Sequence, residues 1–119
     1  MMAGSVGKID LPPQDLQFVR QTFAKAYPHL KVVVFGSRVT GRAKRYSDLD
    51  LCLFNEERLG LAALTALQET FRESALPIRV DLVEWITLSA DFKNIISHDG
   101  VDLFSFADDN SLDLSRETD

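Results

Sequence analysis

The stretch KVVVFGSRVTGRAKRYSDLDLCLF, residues 31–54, constrains the fold most, because it reads as two strands joined by a turn and a basic loop. Residues 31–35 form the short, β-branched apolar run expected of a strand buried on both faces. The run stops at Gly36, where the backbone can turn sharply and a ligand can approach it closely. Ser37 adds a hydroxyl beside amides suited to phosphate. An ordinary strand-to-helix turn, with Ser37 as its N-cap, is the alternative for this pair alone.

The second strand of this stretch carries paired acids on one face. Alternation along SDLDLCLF places Asp48, Asp50 and Cys52 on one side and three leucines on the other. The leucine side is therefore predicted to be core, and the two carboxylates repel each other unless a cation or proton intervenes. Oxygen ligands of this kind suit Mg²⁺, which also takes phosphate oxygens from its substrate. A solvated strand face is the competing interpretation of an isolated Asp-x-Asp motif.

A basic loop lies between these two halves. It contains Arg38, Arg42, Lys44 and Arg45 with no acid among them, in a chain whose formal net charge is −5. A triphosphate between the loop and the aspartates would meet guanidinium groups at one end and metal ions at the other. We therefore predict Arg38 and Arg42 as triphosphate contacts. A merely solvated loop would explain the charge but not its position.

A third acid is predicted to join the pair from a later strand. The run PIRVDLVEW, residues 77–85, has strand composition and carries Asp81 between two apolar residues that point the other way. If this strand lies beside the one that carries Asp48 and Asp50, three carboxylates converge and can hold two divalent ions about 4 Å apart. Taken alone, Asp81 is better explained as an exposed strand residue or as a partner of Arg79.

The combined pattern resembles the nucleotidyltransferase signature of the DNA polymerase beta superfamily. It consists of Gly36-Ser37, ten intervening residues, Asp48-Leu49-Asp50, and Asp81 on a later strand. The small size of the chain narrows the resemblance to the minimal nucleotidyltransferases, the MNT proteins encoded with HEPN-domain partners in bacteria and archaea. The resemblance covers roughly residues 14–105. Glycine-serine followed at this spacing by Asp-x-Asp should arise by chance in roughly one such chain in a few hundred.

The resemblance implies a reaction and a role for each motif residue. Active members transfer a nucleoside monophosphate from a nucleoside triphosphate to an acceptor hydroxyl and release pyrophosphate. For this chain we expect transfer of AMP from ATP, with two Mg²⁺ ions as cofactor. By this resemblance, Gly36 and Ser37 contact the terminal phosphates. Asp48 and Asp50 bind both ions, whereas Asp81 binds one ion and helps to deprotonate the acceptor. Every residue of the signature is present in this chain, which favours an active enzyme.

The resemblance also implies a partner. MNT proteins are similar to antitoxins that attach AMP to a tyrosine of a HEPN ribonuclease toxin and so silence it. A domain of 119 residues has few residues left to build an acceptor pocket of its own, which agrees with an acceptor on another protein. Two alternatives remain: an antitoxin that inhibits the toxin only by binding, and a nucleotidyltransferase that modifies a small molecule such as an aminoglycoside.

The assembled elements predict an α+β fold, a small mixed β-sheet with helices packed on one face and the acid-bearing face open. The resemblance implies a polymerase beta palm-like fold. We expect a flexible N-terminus at residues 1–13, one nucleotidyltransferase domain at 14–106 and an unstructured acidic tail at 107–119. The acidic balance argues against an extended nucleic-acid interface, and no segment suits a membrane span. A single cysteine, Cys52, indicates the reducing cytoplasm.

The longest helix is predicted for residues 55–74, with Asn55 as its cap. Its first half is apolar over more than one stripe, although a helix needs only one buried face. We expect this half to be deeply buried between the sheet and the terminal helices. A surface that receives a partner is the alternative explanation.

Overall fold

The computed structural model describes residues 8–105. The predicted acidic tail at 107–119 and the first seven residues of the predicted flexible N-terminus lie outside the described residues. None of the helices in residues 8–105 combines the length and the apolar character that crossing a bilayer requires. In chain order the elements are α1 (Pro13–Ala26), β1 (Lys31–Phe35), α2 (Ser37–Thr40), β2 (Leu49–Phe54), α3 (Leu61–Arg72), β3 (Val80–Glu84), a 3₁₀ turn (Trp85–Thr87), α4 (Ala90–Asp99) and β4 (Val101–Asp102).

The strands form one mixed sheet in the order β3-β2-β1-β4. β1 runs antiparallel to β2 and to β4, and β2 runs parallel to β3. The predicted small mixed sheet is therefore confirmed. Its register places Phe35 opposite Asp50, and Asp50 opposite Asp81. The turn after β1 and the acids of β2 and β3 consequently meet at one end of the sheet.

The two faces of the sheet have different coverings. On one face the leucines of β2 join a core built with α1 and α3, whose members include Val19, Phe23, Leu67 and Phe71. On the other face a smaller cluster consists of Val33, Phe35, Cys52 and Ile96. Because Ile96 belongs to α4, the helices do not all lie on one face, and the prediction of a fully open acid-bearing face is wrong in that detail. Short apolar side chains next to the acids give α4 a surface to cover.

The predicted flexible N-terminus does not extend to residue 13. Ile9 and Leu11 are buried in the main core. The Asp10 amide donates a 2.7 Å hydrogen bond to the Arg38 carbonyl oxygen. The burial of these two large apolar side chains contributes about 3–6 kcal/mol to holding the segment against the domain. Residues 9–11 are therefore part of the packed domain.

The third helix starts later than predicted, at Leu61 instead of Asn55. The Asn55 side chain donates to the Glu84 carboxylate at 3.0 Å and also to the Glu57 carbonyl oxygen, so it closes a loop and does not cap a helix. Glu84 is buried and also accepts a 2.7 Å hydrogen bond from the Leu59 amide. These contacts hold residues 55–59 as a loop against the end of β3.

Candidate active site

The turn between β1 and α2 brings the backbone next to an acid of the neighbouring strand. Gly36 has φ +83°, a left-handed conformation that glycine adopts without the steric cost of a side chain. A Cβ placed at this residue would lie 2.5 Å from Oδ2 of Asp50. A carboxylate oxygen therefore lies close to the space that a side chain at this residue would fill. The predicted approach of a phosphate to the same turn stays a prediction. Ser37 follows as the first residue of the single-turn helix α2.

Three acids are brought together at this end of the sheet. Asp50 and Asp81 are paired neighbours on the parallel strands β2 and β3. Asp48 immediately precedes β2, and one guanidinium nitrogen of Arg79 lies 2.9 Å from its Oδ2 and 3.6 Å from Oδ2 of Asp81. The Arg79 guanidinium therefore bridges the carboxylates of Asp48 and Asp81, which we call the two outer acids. The three acids predicted to converge, Asp48, Asp50 and Asp81, are found at the same end of the sheet.

The electrostatics of the cluster favour added positive charge. The pKa of Asp50 is raised to about 6, first because the carboxyl is partly buried and then because the carboxylates of Asp81 and Asp48 repel its charge. Arg79 lowers it in part, and the hydrogen bond to Asp48 raises the pKa of Arg79 in return. A single exposed guanidinium therefore does not neutralise the cluster.

The donor set has the chemistry of a Mg²⁺ site, although its present arrangement is not that of one. Within residues 8–105, no group of three or more His, Cys, Asp or Glu side chains is arranged to hold a metal ion. The Arg79 guanidinium lies within ion-pair distance of both Asp48 and Asp81 and so supplies the positive charge between them. Its side chain is 71% exposed and can leave, after which three carboxylates offer the hard oxygen ligands that Mg²⁺ prefers.

Arg38 has a position different from the one its sequence context predicts. It is buried, and its guanidinium donates to the carbonyl oxygens of Asp10, Arg45 and Ser47 at 2.9 to 3.3 Å. These bonds fix the basic loop to the N-terminal segment and to the residue before Asp48. The side chain thus organises the loop from within. Its predicted contact with a triphosphate stays a prediction.

Arg42 lies in the same loop and is exposed. Its amide donates a 3.3 Å hydrogen bond to the Ser37 carbonyl oxygen, so its backbone is attached to the start of α2. The side chain is therefore free to extend from a fixed point near the glycine turn. Of the two arginines predicted to contact a triphosphate, Arg42 has the accessible position.

Two polar residues near the site make contacts that strand and helix periodicity predicts only in part or not at all. Glu84 is buried at the end of β3, where its carboxylate accepts hydrogen bonds from the Asn55 side chain and the Leu59 amide and forms no ion pair within residues 8–105. Arg79 acts on both outer acids at once. Alternation places Arg79 and Asp81 on the same side of the strand, so the Arg79 contact had a sequence signal, whereas the Glu84 contacts depend on loop conformation.

Comparisons with known proteins agree on one protein family. The nucleotidyltransferase domain family model matches residues 16–103, which contain the glycine turn and all three acids. The probable protein adenylyltransferase MntA of Haemophilus influenzae is 46% identical over 92 residues, which are 77% of this chain and 81% of that protein.

Solved structures agree with this match. A crystal structure of a toxin-antitoxin with AMP-PNP superimposes with a TM-score of 0.65 at 25% identity, covering 82% of this chain and 79% of that chain. A tri-AMPylated Shewanella oneidensis HEPN toxin in complex with MNT antitoxin has a TM-score of 0.59 at 23% identity, covering 84% of this chain and 77% of that chain. The second likeness shows a shared fold.

Proposed function

The chain belongs to the nucleotidyltransferase domain family and is a homologue of MntA, and from that premise we propose that it is a Mg²⁺-dependent protein adenylyltransferase. Its substrate is ATP, and its acceptor is a hydroxyl of a partner HEPN toxin, most simply a tyrosine. Modification silences the toxin, so the chain acts as an antitoxin. We place this activity in the cytoplasm, consistent with a single free and buried Cys52.

One observation carries the proposal: three carboxylates from adjacent strands converge beside a glycine turn that follows a buried strand. Asp50 contacts the Gly36 backbone position, lies opposite Asp81, and is joined to Asp48 through the strand. An isolated Asp-x-Asp on a solvated face would not require a carboxylate packed against a left-handed glycine. The matched relative, whose name is that of a protein adenylyltransferase, supports the same chemistry.

We assign the nucleotide to the space between the glycine turn and the acids. In this assignment the backbone at Gly36 and the hydroxyl of Ser37 contact the terminal phosphates, and exposed Arg42 adds a guanidinium. Arg38 supports this arrangement from the interior by fixing the loop, because its donors already bind three carbonyl oxygens. The Arg38 side chain is therefore a positioning residue.

Asp48, Asp50 and Asp81 are the residues that would hold divalent cations. When bound, Mg²⁺ would neutralise phosphate charge and lower the pKa of the attacking hydroxyl. For these carboxylates to bind the ion, Arg79 leaves its position between Asp48 and Asp81. Its high exposure keeps the cost of that movement small.

The transfer makes one bond and breaks one. The acceptor hydroxyl oxygen forms a bond to the α-phosphorus of ATP, and the bond from that phosphorus to the oxygen that bridges to the β-phosphate breaks. Pyrophosphate leaves with the electron pair of the broken bond, and the hydroxyl proton passes to the Asp81 carboxylate. The chain itself holds the phosphates and the acceptor in line, which supplies most of the rate through positioning and electrostatics.

The proposal is tested by weighing the partner protein. The purified chain is mixed with the HEPN protein encoded beside it, Mg²⁺ and ATP, and both proteins are analysed by intact mass spectrometry. We expect the partner to gain one or more adenylyl units. Asp48→Asn should abolish the gain, and Asp91→Asn, an exposed acid on α4, should preserve it.

Two results would overturn the proposal. A partner that is inhibited but never gains mass would identify an antitoxin that acts by binding alone. Modification of an aminoglycoside with no change in the partner would identify a small-molecule enzyme. Both results are compatible with the family assignment. The first would change the proposed mode of inhibition, and the second would change the proposed acceptor.

A further inference from the structure

The first half of α3 is far more exposed than its apolar sequence predicts. Leu61 is 82% exposed, and Leu64 is only partly buried, whereas Leu67 and Phe71 in the second half pack into the core. The expected deep burial of this half is therefore wrong. The helix starts late, after the loop that Glu84 holds, and its first residue is left exposed. An exposed leucine of this kind suits an interaction surface.

A groove lies beneath this exposed turn. It has a volume of about 700 Å³ and runs between α3 and the segment that leads into β3. We call it the α3–β3 groove. Its apolar lining includes Leu61, Leu64, Leu76, Pro77, Ile78 and Leu82. This volume lies within the range of about 300–1,000 Å³ that holds several side chains or a drug-sized ligand.

The groove reaches the edge strand that carries one of the three site acids. Its lining includes Arg79 and Asp81, and Asp81 is the acid that we assign to the acceptor hydroxyl. In the sheet order, β3 is an edge strand and β2 separates it from β1. Gly36, which follows β1, therefore lies across β2 from the groove. Along the sheet order, the groove therefore borders the acid cluster at the edge strand, away from the glycine turn where we place the nucleotide.

We propose that the α3–β3 groove receives the segment of the partner protein that carries the acceptor hydroxyl. This inference rests on the proposed function and names the surface through which it acts. The acceptor has to reach Asp81 from the side that the triphosphate does not fill. The groove borders Asp81 at the edge of the sheet away from the glycine turn, so a segment that binds there can present its hydroxyl to Asp81 around this edge. An apolar lining fits aliphatic or aromatic side chains that flank the hydroxyl, and it suits a polar, polycationic sugar poorly.

The contacts along the strand edge also restrict how the segment binds. The Gln68 side chain on α3 donates a 2.9 Å hydrogen bond to the Val80 carbonyl oxygen. This contact occupies one lone pair of a backbone acceptor on the edge strand, so pairing of a partner strand at this position is disfavoured. We therefore place the segment in the groove through its side chains. Exposed Arg72 in the lining adds a positive charge that favours an acidic residue nearby.

The test uses matched substitutions on one helix. Leu61→Glu and Thr65→Glu place a charge in the lining of the groove, and Ala62→Glu and Thr70→Glu place the same charge at exposed positions of α3 outside the lining. All four positions are exposed, so the variants should fold. The measurements are the rate of partner adenylylation by intact mass at several partner concentrations, and the thermal shift produced by Mg²⁺ with ATP.

We expect the two groove variants to lower kcat/KM for the partner by about tenfold or more, mainly through KM, because a buried apolar contact is lost. Their thermal shift with Mg²⁺ and ATP should match that of the wild-type chain. The two control variants should stay within about twofold of wild type in both measurements.

The outcomes separate this inference from the function on which it rests. A wild-type chain that leaves the partner unmodified overturns the proposed function and the groove assignment with it. Wild-type modification that survives both groove variants, or that fails equally in groove and control variants, overturns the groove alone. A homodimer of the isolated chain that only the groove variants dissociate would assign the groove to a second copy and overturn the proposal.

Discussion

Replacing Gly36 with alanine tests whether the glycine turn and Asp50 form one functional unit. The new Cβ would lie 2.5 Å from Oδ2 of Asp50, whereas ordinary contacts begin near 3.4 Å. The carboxylate therefore has to move by about 1 Å, or the turn has to move away from it. Gly41 provides a matched control, because it has φ +82° and no atom within 4 Å of the same added Cβ.

The two substitutions should have similar costs in stability. Alanine at a left-handed φ costs about 1–2 kcal/mol, and the reduced freedom of the unfolded chain offsets about 0.4–1 kcal/mol of that. Gly41→Ala should therefore destabilise the protein by about 1 kcal/mol. At Gly36, rotating a short carboxylate away from its preferred geometry adds about 1 kcal/mol. The expected loss in Tm is about 3–6 °C for each kcal/mol in a domain of this size.

The rate of partner adenylylation should differ between Gly36→Ala and Gly41→Ala much more than their stability does. A misplacement of about 1 Å in a group that acts on the reacting atoms can lower the rate about 100-fold. Gly36→Ala should thus show a rate of partner adenylylation about two orders of magnitude below that of Gly41→Ala, with Tm values within a few degrees of each other. Rates are measured by intact mass and Tm by differential scanning calorimetry. If the two variants have equal rates, activity does not require the close packing of Asp50 against this turn, and the reasoning is refuted.

Four further predictions follow from the site. In the metal-free protein at pH 8, Asp50→Asn should raise Tm by a few degrees, because it removes a half-buried charge repelled by two neighbours, an effect of about 1 kcal/mol once solvent screening is considered; a lower Tm would contradict that repulsion. Arg79→Ala should tighten Mn²⁺ binding by about two- to fivefold in paramagnetic resonance titrations, since a competing cation is lost, and unchanged affinity would argue against competition. Arg38→Ala should lower the free energy of unfolding by about 2–4 kcal/mol in urea titrations, because three carbonyl oxygens lose a charged donor. Arg38→Lys should be less destabilising than Arg38→Ala but still less stable than the wild-type chain, because an ammonium group cannot donate to all three carbonyl oxygens in the geometry of a guanidinium. Wild-type stability in Arg38→Lys would contradict this requirement. The Cys52 thiol, whose pKa burial raises to about 11, should react with a maleimide only as the chain unfolds, and rapid labelling of the folded protein would contradict its burial.

The positions of the strands and acids could be predicted because local pattern and topology agree there. Alternation fixes which side chains of β2 enter the core, and the leucines do so. A glycine after a buried strand predicts a tight turn, and Gly36 makes one. A helix, α3, connects β2 to β3 as a crossover, which is the connection that parallel neighbours require, and the parallel pairing brings Asp50 and Asp81 together.

Features that depend on long-range polar contacts could not be predicted in this way. Asn55 looks like a helix cap by residue type, but the buried Glu84, nearly thirty residues later, takes its side chain. Arg38 looks like a phosphate ligand by its position in a basic loop, but Asp10 and the carbonyls of that loop bind it. In both cases the residue type was informative and its partner was set by the fold.

The central claim is that Asp48, Asp50 and Asp81 hold divalent cations within reach of Gly36. Its most direct test is anomalous diffraction from crystals of the chain bound to Mn²⁺, a non-hydrolysable ATP analogue and its HEPN partner. We predict Mn²⁺ peaks within coordination distance of all three carboxylates, with Arg79 withdrawn from Asp48 and the triphosphate against the glycine turn. A nucleotide bound elsewhere, or an Arg79 that keeps both ion pairs while no peak lies among the three acids, would contradict the claim.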